Sequence, residues 1–190
     1  MDELARTAIG APLSNTDIER ITKNGCRILK YEDLAQYGSL DELLGPSGAA
    51  CILYSTEKNW GHWCCVVKGK KPGVVCFFDP YGAKPDTQLK MIPQYFRNQG
   101  PRVMLENGST APARGIPLLT ALLQDSPYQC EYNEIDLQSK RPNVNSCGRW
   151  CALAILWLKF MTLERFQNFF LNQKLDPDLY VAFLTLDSGV

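Results

Sequence analysis

A nearly unbroken apolar run covers residues 150–158 and is followed by Lys159. Even when it is extended to Leu163, the run is shorter than the roughly 20 apolar residues that cross a bilayer. A segment that is apolar on nearly every face is typical of a helix buried in a globular core. Polar, turn-forming residues precede it, and we expect Asn145 or Ser146 to cap the helix by accepting a hydrogen bond from a first-turn backbone N–H.

Three compact apolar runs upstream of this helix predict β-strands, and they cover residues 49–54, 63–67 and 74–78. The polar insert 68–73 is bounded by glycine and proline, which indicates a hairpin connection between the last two runs. Three neighbouring runs of this kind are typical of an antiparallel sheet with a well-buried face. Residues 129–137 alternate imperfectly and predict a further strand that leads into the loop before the central helix.

Helical signals lie on both sides of the sheet region. Residues 14–24 predict a short helix that Ser14 or Asn15 caps. Ile18 and Ile21 would face the interior from this helix. Further helices are predicted over residues 40–44, 89–96, 116–123, 164–172 and 176–186. The sequence contains no repeats and no linker, so we expect one α+β domain over residues 1–190.

The composition is that of an ordinary globular protein. Hydrophobic residues make up 45% and charged residues 21% of the 190 residues, which suffices for one domain with a core. Lys plus Arg and Asp plus Glu number 20 each, so no net charge favours stable binding to nucleic acid or to a membrane. The first residues are polar and acidic, unlike a signal peptide, and eight cysteines in such a chain indicate free thiols in a reducing compartment.

Cys147 is a candidate nucleophile because it falls in the first turn of the predicted central helix. Unpaired N–H groups and the positive end of the helix dipole favour a thiolate at such a position. The alternative is a small core residue, which is the commonest role of a free cysteine. His62 is the single histidine of the chain, so any reaction that needs an imidazole must use it.

Asp79 is the expected partner of His62. A hairpin turn centred between Lys70 and Lys71 would pair residue 62 with residue 79. Directly opposed Cβ atoms lie roughly 5 Å apart, so the carboxylate would accept a hydrogen bond from the ring and fix its tautomer. A slip of one residue would put the two side chains on opposite faces. Taken singly, the two residues also fit a strand-end histidine and an Asp-Pro turn.

Gln138 lies in the predicted loop before Cys147. Its side-chain amide would join the backbone N–H of Cys147 in holding the oxyanion of a tetrahedral intermediate. The alternative for Gln138 is a glutamine in a surface loop.

Three sequence blocks in this order resemble a known enzyme family. They are G-H-W at 61–63, F-D-x-Y-G at 78–82, and a glutamine upstream of N-x-N-S-C-G at 143–148. Together they resemble the adenovirus-type maturation cysteine proteases and the wider group of ubiquitin-like-protein proteases. The segment N-V-N-S-C-G-R-W-C is most similar to versions from virophages, polinton-like elements and some large DNA viruses. The resemblance covers residues 62–158, and residues 1–45 and 164–190 carry no family signal.

The resemblance implies a papain-like cysteine protease fold, in which an antiparallel-rich sheet packs on a buried helix that carries the nucleophile at its N-terminus. His62 matches the general base, Asp79 the acidic third member and Cys147 the nucleophile. The implied reaction is acyl transfer through a thioester, with His62 protonating the leaving amine. It requires no metal and no cofactor.

Three more residues match the family pattern. Gln138 corresponds to the oxyanion-hole glutamine, although it stands a few residues farther from the cysteine than in the adenovirus and ubiquitin-like-protein branches. Trp63 corresponds to the aromatic residue after the histidine, and Gly148 follows the nucleophile. We expect Trp63 and Gly148 to support the site rather than to react.

The resemblance also implies substrates and partners. Relatives of this kind cut viral capsid and scaffold precursors, often next to glycine. We therefore expect release of a terminal extension from the major capsid protein or its partners, in the host cytoplasm and in the virion. The adenovirus branch is stimulated by a cofactor peptide and by DNA. We expect an activating peptide for this chain as well. We do not expect stimulation by DNA, because the net charge is zero.

Two other enzyme classes use similar residues. An isopeptidase that removes ubiquitin-like modifiers shares the fold and the triad, and a modified host protein offered beside a capsid precursor would distinguish the two activities. An acyltransferase with a similar triad would require acetyl-coenzyme A, for which the sequence shows no site.

A non-enzymatic alternative is a thiol-rich metal-binding domain. Structural zinc sites usually contain C-x₂₋₄-C pairs, and only Cys147 and Cys151 have this spacing. Cys64 and Cys65 are adjacent on a predicted strand, so they point to opposite faces and do not chelate one ion easily. We expect Cys151 to be a core residue. The further candidate ligands are His62 and Cys76.

Overall fold

A computed structural model describes residues 2–58 and 60–186. The strands are β1 (Arg27–Lys30), β2 (Ala49–Glu57), β3 (Trp60–Lys68), β4 (Val74–Phe78), β5 (Arg102–Met104), β6 (Thr110–Pro112) and β7 (Gln129–Tyr132). The α-helices are α1 (Asp2–Gly10), α2 (Asn15–Thr22), α3 (Leu40–Leu44), α4 (Gln94–Arg97), α5 (Leu118–Gln124), α6 (Cys147–Trp157), α7 (Leu163–Leu171) and α8 (Pro177–Leu186). Short 3₁₀ helices cover Tyr31–Gln36, Thr87–Met91 and Ala113–Gly115.

The described residues form an α+β structure around a mixed five-stranded sheet of order β1-β2-β3-β4-β7. The central strands β2, β3 and β4 are antiparallel, as predicted, and β4 has the predicted bounds. The edge strands β1 and β7 pair in parallel with their neighbours. A separate two-stranded ladder joins β5 to β6. The sheet is therefore antiparallel at its centre and parallel at both edges.

Helix α6 is the predicted buried central helix, and the structure confirms it. Residues 147–155 are all buried, because β2 and β3 lie on one side of α6 and α2 and α8 on another. Trp150 also packs edge-on against Phe170 of α7, with ring centroids 4.5 Å apart. A helix enclosed in this way has no need of a polar face, which explains the apolar sequence from Trp150 onward, and its one charged residue, Arg149, donates to Ala8 O and Thr185 Oγ1.

The opposite face of the sheet carries a second apolar cluster. Leucines of α3, of α5 and of the first 3₁₀ helix cover this face. Cys64 belongs to this second cluster, whereas its neighbour Cys65 belongs to the cluster around α6. The alternation of successive side chains along β3 thus follows the prediction for adjacent cysteines.

Most predicted helices are confirmed with small changes of bounds. Helix α2 begins after Ser14, whose hydroxyl accepts from Asp17 N at 3.3 Å while the Asp17 carboxylate accepts from Ser14 N at 2.9 Å. Ile18 and Ile21 are buried, as expected. Helix α3 has the predicted bounds, and α5, α7 and α8 match their predictions within a few residues.

Three predictions of local structure are wrong or incomplete. The helix expected over residues 89–96 is divided into a 3₁₀ helix and α4, because Pro93 lacks the N–H that a continuous helix needs. The strand expected over 129–137 ends at Tyr132, after which the Asn133 amide donates to Asp79 O and Ile135 O at 2.6 and 3.0 Å. Helix α1 was not predicted.

No helix among the described residues is long and apolar enough to cross a membrane.

Candidate active site

His62 lies on β3, and its Nε2 is 3.0 Å from Oδ1 of Asp79, which directly follows β4. The ladder pairs Cys65 with Phe78, and Gly69 N donates to Val74 O at 2.9 Å, so the turn is centred one position later than predicted. The predicted pairing of residues 62 and 79 is therefore wrong by two positions. A shift of two residues preserves the face of each side chain, and the diagonal separation remains within reach of a histidine.

The Asp79 carboxylate is fully buried and has hydrogen bonds at both oxygens. Oδ1 accepts from the Tyr81 backbone N–H at 2.8 Å in addition to its contact with the ring of His62. Oδ2 accepts from Gln88 Nε2 at 3.0 Å. An ionised carboxylate only accepts, so His62 Nε2 is the donor in this pair. The other ring nitrogen, Nδ1, is left for Cys147.

His62 has an environment that favours its charged form. Burial by itself lowers the pKa of the ring, but hydrogen bonds to Asp79 and to Cys147, together with the charges of both groups, raise it to about 10. Tyr81 stacks on the ring with centroids 4.7 Å apart and planes at 13°, which fixes its orientation. A histidine with this pKa is an imidazolium at neutral pH, and an imidazolium stabilises a thiolate beside it.

Cys147 is the first residue of α6 and is 8% exposed. The predicted side-chain cap is absent, because the N-cap residue Ser146 makes no side-chain capping hydrogen bond and Asn145 does not accept one from the first turn either. Asn145 Nδ2 donates to Gly10 O at 2.8 Å, and Ser146 Oγ donates to Oδ1 of Asp178. The helix therefore begins without a side-chain cap, and its positive end lies at the nucleophile position.

Gly148 and Trp63 support this helix end by packing. A Cβ placed on Gly148 would lie 3.0 Å from Leu13 Cβ and 3.4 Å from Trp63 Cδ1. Trp63 is 5% exposed and belongs to the apolar cluster around α6. The absence of a side chain at Gly148 thus lets Leu13 and Trp63 approach the turn that carries Cys147.

Gln138 is 2% exposed, so the alternative of a surface loop is wrong. Its Nε2 donates to Tyr81 Oη at 3.3 Å and to Val144 O at 3.4 Å, while its Oε1 has no hydrogen-bond partner. Its backbone N–H donates to Pro80 O at 3.0 Å, which ties it to the segment that follows Asp79. Gln138 also lines the same cavity as His62 and Cys147.

Two neighbouring cavities are both lined by Cys147. One has a volume of about 460 Å³ and is walled by residues 12–16, which comprise the connection before α2 and the first two residues of α2. The other has a volume of about 270 Å³ and contains His62 and Gln138. Residues that line both cavities mark their junction, and these are Trp60, Gly61, Asn145 and Cys147.

Other thiols are placed in the core rather than in the two cavities at Cys147. Cys151 is fully buried beside Cys51, and burial raises the pKa of both thiols. This confirms Cys151 as a core residue. Among residues 2–58 and 60–186, no group of three or more His, Cys, Asp and Glu side chains has a geometry that could hold a metal ion.

Three residues at the site were not predicted from the sequence. Tyr81 falls within the F-D-x-Y-G block, so its position next to Asp79 was an available signal. Gln88 and Asp178 lie outside every motif, and only the folded chain brings them to Asp79 and Ser146.

Comparison with known proteins shows that the chain is related to a viral protein. The chain is 34% identical over 178 residues to the uncharacterized protein V9 of Sputnik virophage, and the match covers 92% of this chain and 94% of V9. The chain belongs to the V9 family of virophage proteins. The match to V9 is longer than residues 62–158, so the shared sequence includes part of the flanking regions. No protein-family model matches the chain.

Proposed function

We propose that this V9-family protein is a cysteine endopeptidase with a papain-like fold, and that it processes capsid precursor proteins during virion maturation. The observation that carries the proposal is the arrangement of three side chains. The His62 ring is 3.0 Å from the buried carboxylate of Asp79, and it lines the same cavity as Cys147, which stands at the uncapped N-terminus of α6 and contributes to the raised pKa of the ring. Nucleophilic cysteine catalysis needs this order of groups.

The proposed reaction begins with the Cys147 thiolate, which attacks a peptide carbonyl carbon. His62 gives the proton at Nδ1 to the leaving amine, and a thioester remains on the sulfur. Water, deprotonated by His62, then hydrolyses the thioester and releases the second product. Asp79 keeps the ring in the required tautomer and stabilises its charge throughout.

The proposed oxyanion hole combines the backbone N–H of Cys147 with the side-chain amide of Gln138. The hydrogen bonds from Gln138 to Tyr81 and Val144 are long, at 3.3 and 3.4 Å, and its carbonyl oxygen is unpartnered. The amide is therefore held weakly, and rotation of its terminal torsion brings an N–H to the cavity that Gln138 shares with Cys147 at small cost. Catalytic hydrogen bonds are often long before substrate binds.

The substrate class rests on two supports. Membership in a virophage family makes a viral protein the natural target, and the resemblance of the three sequence blocks is to proteases that mature capsids. The cavities add a physical argument, since Trp60 and Asn145 line both of them together with Cys147. A small residue such as glycine next to the scissile bond fits a junction bordered by a tryptophan.

Co-expression with the major capsid protein of the same virus tests the proposal. The wild type should convert the capsid precursor to a shorter form, and Cys147→Ala should leave it intact. Cys151→Ala is the matched control, because it removes a buried thiol one helical turn away and should retain processing. Equal processing by wild type and Cys147→Ala contradicts the proposal. Cleavage of a ubiquitin-like conjugate with no cleavage of the precursor would favour the isopeptidase instead.

A further inference from the structure

Asp178 connects the two segments that carry the proposed oxyanion donors. The residue is 1% exposed. Its Oδ2 accepts from Ser139 N at 2.8 Å, directly after Gln138. Its Oδ1 accepts from Ser146 Oγ, directly before Cys147, and from Trp150 Nε1 at 2.9 Å, one turn along α6. The Asp178 carboxylate thus binds both the loop that contains Gln138 and the start of α6.

The first turn of α8 is a favourable place for this carboxylate. Asp176 Oδ1 accepts from Asp178 N at 2.9 Å and begins the helix, whose positive end stabilises a negative charge. Burial raises the pKa of Asp178, and the hydrogen bonds from Ser146, Trp150 and Ser139 oppose that rise. The three donors satisfy a buried group that would otherwise be costly.

We propose that Asp178 is a positioning residue that sets the distance between the Gln138 amide and the backbone N–H of Cys147. The inference rests on the proposed cysteine acyl transfer. The backbone of Gln138 is fixed on one side by Pro80 O and on the other by the Ser139–Asp178 bond. The start of α6 is fixed to the same carboxylate through Ser146 and Trp150. His62 and Asp79 lie on β3 and after β4, so their pairing does not depend on Asp178.

Two small reagents can separate the contribution of the oxyanion hole from the reactivity of the Cys147 thiolate itself. Iodoacetamide alkylates a thiolate by direct displacement of iodide, and no oxyanion forms. With p-nitrophenyl acetate, the thiolate adds to the carbonyl carbon, an oxyanion forms, and p-nitrophenolate leaves as the thioester is made. The ratio of the two rates at Cys147 therefore reports the oxyanion hole, and Cys147→Ala gives the background from other thiols.

Asp178→Asn should lower the acylation rate about 10- to 100-fold, because a misplacement of about 1 Å has this effect on a positioned group. Its alkylation rate should stay within about twofold of the wild type. Asp125→Asn is the matched control, since Asp125 is exposed at the C-terminal end of α5, and both of its rates should stay within about twofold. If Asp178→Asn does not fold, Ser146→Ala should give the same selective loss, of about fivefold for one hydrogen bond.

Two results would overturn the inference. Unchanged acylation in both variants would show that the carboxylate has no influence on the oxyanion hole. An equal fall of acylation and alkylation would show a general structural role. Neither reagent is a peptide, so the ratio of the acylation rate to the alkylation rate does not depend on the natural substrate. Failure to cleave capsid protein would therefore count against the proposed substrate alone. A wild type that is alkylated but not acylated would contradict the acyl transfer and this inference together.

Discussion

The His62 ring bonds to Asp79 across a diagonal of the β3–β4 hairpin, and not across a directly paired position. The ladder, extended by one residue beyond Phe78, places Asp79 beside Cys64. The carboxylate is fixed beside the ring because Tyr81 N donates to the same Oδ1 and Gln88 Nε2 donates to Oδ2.

Replacement of Asp79 should change the alkaline limb of the pH–rate profile. His62 has a pKa of about 10, so its protonated form persists below that value and is lost as the pH rises through it. Asp79→Asn weakens the largest contribution that raises this pKa, and the loss of kcat/KM should begin at lower pH. The measurement is kcat/KM against pH on a peptide from the capsid cleavage site. Asp41→Asn, on the exposed surface, is the control, and an identical alkaline limb in Asp79→Asn and wild type would refute the assignment.

Gln138→Glu tests the oxyanion donor with little change of shape. Glutamate has no N–H to donate when ionised, so kcat should fall about 10²- to 10³-fold while KM changes little. Gln94→Glu is the control, because it makes the same chemical change at an exposed residue of α4 and should leave kcat unaltered. Full activity of Gln138→Glu would remove Gln138 from the oxyanion hole.

Gly61 should tolerate no side chain. A Cβ at this position would lie 2.1 Å from Tyr54 O, a backbone atom of the paired strand β2. Gly61→Ala should therefore lower the free energy of unfolding by about 1–3 kcal/mol and displace the adjacent His62. Denaturant titration gives the first effect and the activity assay the second.

Gly38→Ala is the control for this substitution. Its Cβ would meet only the flexible end of Glu42, at 3.4 Å, so its stability should change by no more than about 0.5 kcal/mol. Wild-type stability in Gly61→Ala would mean that β2 and β3 are not paired as described.

The native protein should be alkylated selectively at Cys147. Burial raises the pKa of the Cys26 and Cys76 thiols to about 12, and Cys51, Cys64 and Cys151 are fully buried with raised pKa values. One equivalent of iodoacetamide at neutral pH should modify Cys147 first, as peptide mass spectrometry would show. In denaturant all eight cysteines should react. Earlier labelling of Cys26 in the folded protein would contradict the claim that Cys147 is activated.

The sequence predicted the elements of the fold better than their mutual alignment. Periodicity and length identified β2, β3, β4 and α6 because each is a compact apolar segment. The register of β3 on β4 was not predictable in the same way. Both strands are apolar on both faces, so no polar alternation distinguishes one register from another.

Contacts distant in sequence account for the rest of what was missed. Asn145 and Ser146 were reasonable caps by residue type, but in the fold their side chains bond to Gly10 O of α1 and to Asp178 of α8. The same holds for Asp178, which has no local signal and acts only where α8 meets α6. His62, Asp79 and Cys147 were selected as candidates because their positions next to predicted elements and the three sequence blocks agreed.

The most direct test of the central claim is the NMR titration of the imidazole ring. The chain contains one histidine, so the ring resonance belongs to His62 without any assignment experiment. In the wild type this resonance should titrate near pH 10, and Cys147→Ala should lower the pKa because the ring loses the hydrogen bond and the charge of the thiolate. A ring that titrates near pH 6.5 in the wild type and in Cys147→Ala alike would contradict the account.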